Sequence, residues 1–269
     1  MVSRTRLTAR DGTDNTGIWT RLGAFLFAIL RLDAVLAVLL LPVLVISLGV
    51  VSPLRSFPTL IAAIWLCSPG LAVAFAAFRD CPSLAFSPLR RREEFGAAVT
   101  EGVIAAPYWH DDDESAMARP AVRALGVLWR RALVVSLPAA LICLAAAVDI
   151  VWASRQPFGV YVVPALAVVI GLTLATWPVV LVGATELPRA RYMALWRLAV
   201  AAVGRMWYLS LLDLAVLVLL YLGLMAEPIL VIVLGAGLLL HLVWANARWT
   251  ILPAIRAVAA ESEETTTCP

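Results

Sequence analysis

Apolar stretches of membrane-spanning length recur along this chain, separated by polar connections of two kinds. A hydrocarbon core of about 30 Å takes about 20 apolar residues in a helix. Six stretches come close to that length: 34–51, 59–78, 132–152, 158–183, 207–225 and 228–249. "SPLRSFP", "ASRQPFG" and "AEP" are short turns, whereas the other connections are longer and charged. Short and long connections in alternation pair the spans into three helical hairpins. The predicted fold is all-α: a polytopic membrane protein with six transmembrane helices and amphipathic cytoplasmic helices. Residues 17–256 form one membrane domain with a cytoplasmic segment at about 79–128, and residues 1–16 and 257–269 are predicted to be disordered ends.

Three segments outside these spans carry a helical period. In "GIWTRLGAFLFAILRL", Ile18, Leu22, Phe25, Leu26 and Ile29 fall on one face; such a segment either lies in the interface before the first span or lengthens it. "SPLRRREEFGAAVTEGV" starts with Ser87 as an N-cap and Pro88 at the first helical position, the usual places for those residues. "LPRARYMALWRLAVAAVGRMW" puts Leu195, Leu198, Ala202 and Met206 together, away from Arg191 and Arg197. It predicts an amphipathic helix running into the fifth span.

Composition agrees with the pattern. With 62% hydrophobic and 14% charged residues and a mean hydropathy of +0.93, the chain lies far from the soluble average of about 25% charged. A net charge of +3 and the lack of any nucleic-acid motif predict no nucleic-acid partner. Every basic residue is arginine, which points to a bacterial source with a GC-rich genome. Cys67, Cys81, Cys143 and Cys268 show neither a CxxC pair nor metal-ligand spacing, and they read as inert thiols.

Charge distribution sets the orientation. Nineteen of the 21 arginines lie in the N-terminal segment, the two long connections and the C-terminal tail, against Arg55 and Arg155 alone in the short turns. Positive residues stay on the cytoplasmic side, so both termini are expected in the cytoplasm. Arg90, Arg91, Arg92, Arg130 and Arg131 make up a cytoplasmic basic face. Trp129, Trp177, Trp207, Tyr208, Trp244 and Trp249 cluster toward that side, with Trp152, Phe158 and Tyr161 toward the other, as interfacial rings do.

Chemistry-bearing residues are few. "HDDDE", His110 to Glu114, holds potential metal ligands, but five consecutive loop residues point apart rather than converge on an ion. It reads as a solvated acidic loop, and no cofactor or metal is expected. Asp213 and His241 lie inside the last two spans. Counted from Arg205 and Arg248, both sit about 10–12 Å within the bilayer at 1.5 Å per residue, which makes them a candidate intramembrane polar pair. Such residues face the bundle and take partners, either as a structural hydrogen bond or as part of a proton or substrate path. Asp33 and Asp149 fall near predicted helix ends, within reach of headgroups or water. No GxSxG, HExxH or Walker A motif is present, and no catalytic residue is assigned.

One stretch breaks the rule of unbroken spans. "CSPGLAVAFAAFRDCP" at 67–82 puts Pro69 and Gly70 inside the second span and ends it at Arg79. Pro69 lacks a donor and crowds the carbonyl of Trp65, which predicts a kink at 68–70 whose freed carbonyl needs a partner such as Ser68. Gly70, Ala72, Ala74 and Ala77 keep the following half-helix slim, suited to close packing inside the bundle.

This stretch, with Pro69, Gly70, Ala72, Ala74, Ala77 and Arg79 in the corresponding places, resembles the second-helix motif of the YesL-like family of bacterial membrane proteins, a domain of unknown function. The family's usual Gly-Pro order is inverted here. The order of elements over about 20–255 is also similar, and "RARYMALWRLAVAA" resembles the family's basic amphipathic segment. The resemblance implies a non-enzymatic accessory or scaffold protein associated with carbohydrate ABC transporter subunits, and it carries over no catalytic residue. The alternative reading is a small transporter or permease using Asp213 and His241.

Overall fold

The computed structural model describes residues 14–49, 53–81, 84, 96–109 and 117–267, and every structural statement below refers to these. Eleven α-helices follow in order: α1 (Asp14–Leu39), α2 (Leu41–Gly49), α3 (Pro53–Leu66), α4 (Ser68–Asp80), α5 (Gly96–Thr100), α6 (Ala118–Ala153), α7 (Gly159–Glu186), α8 (Tyr192–Arg205), α9 (Trp207–Ala226), α10 (Pro228–Leu230) and α11 (Ala236–Thr267). A π-helical turn, Val231–Gly235, joins the last two. Five helical stretches are long and apolar enough to cross a membrane, and α3 with α4 makes a sixth if that bent pair is one span. The protein is an all-α, multi-pass membrane protein.

The first span differs from the sequence expectation. Its apolar window is Leu22–Leu39 rather than 34–51, because the amphipathic segment at 17–32 lengthens the helix instead of lying apart from it. Two charges fall within that window. Arg31 lies 4.3 Å over the Phe27 ring at the exposed surface, and Asp33 turns inward to zero exposure. The helix ends at Leu39 with Pro42 three residues on, where a missing N–H and a ring clash stop it.

The second span breaks at Cys67, one residue ahead of the predicted 68–70, and α3 and α4 meet at 43°. Pro69 thus occupies the first turn of a new helix, where its missing donor costs nothing. Ser68 does not act as expected: its hydroxyl is buried without a hydrogen-bond partner. In α4, Leu71 alone is not fully buried. A Cβ on Gly70 would stand 2.9 Å from the Cβ of Leu39, so the missing side chain is what admits α1 at this crossing.

α6 is 36 residues long, about 54 Å at 1.5 Å per residue; it exceeds a bilayer and carries its N-terminal turns beyond it. α7 is exposed over most of its first half and buried from Ala175 through Glu186. In α9 only Ser210, Asp213 and Val216 are buried, which leaves broad apolar faces suited to lipid. The core is therefore displaced toward one end, where α4 and the second half of α7 pack with α6, α8 and α11. α8 buries Leu195, Ala199 and Val203 and half-buries Leu198, Ala202 and Met206, the amphipathic face read from its period.

Two further expectations change. Trp177 and Trp244 are not interfacial but buried, at 7% and 2% exposure; the indole N–H of Trp177 donates to Ser136 Oγ at 2.8 Å. The tail expected to be disordered from residue 257 continues as helix to Thr267. Asp149 is exposed, in keeping with a place near a helix end, whereas Asp33 is not.

Candidate functional site

Most of the charged side chains that the fold buries collect at the end where α4 and α7 terminate. Arg79 and Asp80, the last residues of α4, form a bidentate pair at 2.7 and 2.9 Å. The Arg79 guanidinium also donates to the carbonyls of Thr185 at 3.0 Å and Ala106 at 3.3 Å. Asp80 accepts the backbone N–H of Tyr108 at 2.7 Å. One adjacent pair thus ties the end of α4 to the end of α7 and to the segment at 96–109. Burial pushes the Tyr108 phenol above its ordinary pKa, against the opposing pull of Arg79, whose guanidinium lies 5.6 Å from the ring centroid.

Two more arginines close the same end. Arg131 of α6 donates to the carbonyls of Ala184 (3.0 Å), Leu187 (2.6 Å), Ala190 (2.9 Å) and Pro188. These include the acceptors left over where α7 stops, which a helix C-terminus must place somewhere. Arg248 of α11 brings Nε to 2.8 Å from Glu186 Oε1, both nearly inaccessible. The approach is an ion pair in distance, with the N–H off the oxygen's line. The backbone carbonyl of Glu186 accepts from Ala105 N at 2.8 Å.

Farther along α11 lies a second group of polar atoms. His241 is ringed by Phe25 of α1, Phe78 of α4 and Trp244, with centroids at 5.3, 4.9 and 5.4 Å. Asp33 of α1 accepts the Gly237 backbone N–H at 2.5 Å. A Cβ on Gly237 would sit 2.5 Å from the same Asp33 oxygen, so only glycine permits the contact. Asp213 of α9 accepts from Asn246 Nδ2 at 3.0 Å.

The sequence-assigned residues fare unequally. Asp213 and His241 both lie inside the bundle, but no hydrogen bond joins them; the partner of Asp213 is Asn246, and His241 turns toward α1 and α4. Counting depth from Arg205 and Arg248 gives each residue's distance from the Arg-rich end but not the rotation of one helix against the other. The π turn inserts one residue, which rotates everything after it by about 100°. Arg79 does not leave into solvent but is buried. Arg131 is bound to carbonyls rather than spread on a basic face, whereas Arg130 is exposed and lies 5.9 Å over the Trp129 ring. Arg90, Arg91, Arg92 and the acidic run His110 to Glu114 lie outside the described residues, as does Ser87.

Sequence reasoning missed Asp33, Asp80, Glu186 and Arg248 as interior groups. The signal available was position: Asp33 interrupts an apolar run, and Glu186 ends the longest one.

An apolar crevice of about 360 Å³ opens in the opposite half of the molecule, between α2, α3, α7, α9 and α11. Leu40, Cys67, Trp177, Leu217, Tyr221 and Leu240 are among its walls.

Comparison with family models, curated proteins and solved structures finds no match to this chain. The likeness to the YesL-like family therefore rests on the residues quoted above.

Proposed function

We propose that this chain is a non-enzymatic accessory or scaffold protein of a bacterial cytoplasmic membrane. Its termini and Arg-rich end face the cytoplasm, and through that end it docks onto another membrane assembly. The observation that supports this reading is how the arginines there are divided. Arg79, Arg131 and Arg248 are taken up inside, joining α4, α6, α7 and α11 into one stiff platform. Arg119, Arg123, Arg130, Arg197 and Arg205 remain exposed on the same side. A rigid base that displays fixed positive charge suits a complementary acidic surface, which gains encounter rate and orientation from it.

The partner class implied by the family resemblance is a carbohydrate ABC transporter subunit. Anionic lipid is drawn to the same arginines at about 1 kcal/mol each, so lipid binding alone does not distinguish docking from simple membrane attraction. Affinity purification of the full chain from native membranes in mild detergent does. Transporter subunits are expected in the eluate of the wild type and are lost when Arg119, Arg123 and Arg130 are replaced by glutamate. Recovery of the chain without any transporter subunit overturns the reading. Transport through a joined Asp213 and His241 pair is not favoured, because the hydrogen bond of Asp213 goes to Asn246.

A further inference from the structure

Gly237, His241, Trp244 and Arg248 recur along α11 at intervals of four, three and four residues, which puts them on one face. Three buried polar atoms in and against that face accept or donate nothing within the chain: Asp33 Oδ2, His241 Nδ1 and Trp244 Nε1. Native structures give the large majority of buried side-chain polar atoms a hydrogen-bond partner. Three on a single helical seam mark a place built for something that hydrogen-bonds to all of them. The π turn is its origin. Within it the Ala236 N–H reaches back five residues to Val231, and the Gly237 N–H that follows is given to Asp33.

We propose that the α1–α11 seam is a proton-binding site centred on Asp33, served from the Arg-rich end by water that bridges His241 and Trp244. The seam places a carboxyl oxygen, an imidazole nitrogen and an indole N–H in succession, a mixed set of donors and acceptors that ordered water satisfies. From Gly237 to Arg248 the face spans about 16 Å at 1.5 Å per residue. It ends at the Glu186–Arg248 pair, which lies at the Arg-rich end.

No other charge neutralises Asp33. α2, α10 and the π turn hold no titratable side chain among the described residues. In α4, Arg79 and Asp80 pair with each other at the far end, and Cys81 follows them. In α9, Asp213 is bonded to Asn246, and Tyr208 and Tyr221 are exposed. In α1, Arg31 faces outward over Phe27. In α7, Glu186 pairs with Arg248, and in α8, Tyr192, Arg197 and Arg205 are exposed. A metal ion is the poorer ligand: no group of three His, Cys, Asp or Glu converges among the described residues, and hard cations need several oxygens. Beside that face, Ile232 of the π turn and Ala236 and Leu240 of α11 line the apolar crevice, so the polar atoms lead toward the Arg-rich end.

The test is infrared difference spectroscopy of the full chain in lipid nanodiscs, across pH and on exchange into D2O. The wild type is expected to show a protonated-carboxyl C=O band that titrates and shifts on exchange. Asp33→Asn keeps an acceptor for the Gly237 N–H and is expected to lose the band, whereas Asp213→Asn retains it. His241→Phe leaves Asp33 in place and is expected to slow the band's exchange several-fold, which keeps the test decisive if Asp33→Asn does not fold. A band that persists in Asp33→Asn, one that neither titrates nor exchanges in the wild type, or exchange in His241→Phe equal to wild type overturns the proposal.

Discussion

The two halves of this molecule are built from similarly apolar helices, yet they differ in how completely they close. At the Arg-rich end, α4 and the last dozen residues of α7 are almost wholly buried, and three arginines connect four helices through carboxylates and carbonyls. In the other half α9 is largely exposed, the first half of α7 faces outward, and a crevice of about 360 Å³ remains. Apolar side chains gain little by leaving lipid for one another, so packing in a bilayer depends on small residues and polar bonds. Both are concentrated at one end: Gly70, Ala72, Ala74, Ala76 and Ala77 line α4, and the charged network terminates it. The comparison teaches that polar contacts and small side chains, more than hydrophobicity, decide where this bundle is rigid.

The strongest way to break that contrast is to remove an arginine from inside the network. Arg79→Ala removes the guanidinium that pairs with the buried Asp80 and is expected to cost about 3–5 kcal/mol, as breaking a buried ion pair from one side does. Unfolding of the purified protein by added SDS measures it, and a loss within error of zero would mean that the pair does not hold the end together. Next comes crowding. Ala74→Leu, at a position with no exposure, is expected to cost about 1–3 kcal/mol through overpacking, read in the same unfolding assay.

Gly237→Ala drives a methyl against Asp33 and is expected to cost a similar amount, about 1–3 kcal/mol. Much of that loss should vanish when Asp33→Ala is already present, since contacting residues couple; additive losses in a double-mutant cycle would contradict the contact. Trp177→Phe, which leaves Ser136 Oγ without its donor, is expected to cost about 1 kcal/mol. The smallest effect belongs to the open half. Cys67→Met at the crevice wall adds volume where space exists, and a change of less than about 1 kcal/mol is expected. A loss as large as that of Ala74→Leu would erase the distinction between the halves.

Legibility in the sequence follows the same division. The break in the second span was readable from Pro69 within one residue, because a missing N–H acts on its own helix. α8 was readable from its period, and the crowding of arginines at one end from simple position. The first span was misplaced because the amphipathic period at 17–32 reads equally as an interfacial helix or as an extension of the span, and only the packing shows Arg31 outward over Phe27 and Asp33 inward on Gly237. Asp213 and His241 fall in the last two apolar helices, but whether they face each other depends on helix rotation, and a π turn of five residues leaves no mark in an apolar run.

What the sequence determined by itself is the all-helical, multi-pass architecture, the break in the second span and the end of the bundle at which arginine collects. These depend on residue type and spacing along a single helix, where each contribution acts locally. What only the tertiary structure decided is the partner of each polar group: Arg79 buried against Asp80, the half-buried Arg131 on the carbonyls around the end of α7, Asp33 on a backbone N–H, His241 among three rings. Partner choice depends on the rotation of one helix against another, and a single inserted residue turns that rotation by about 100°.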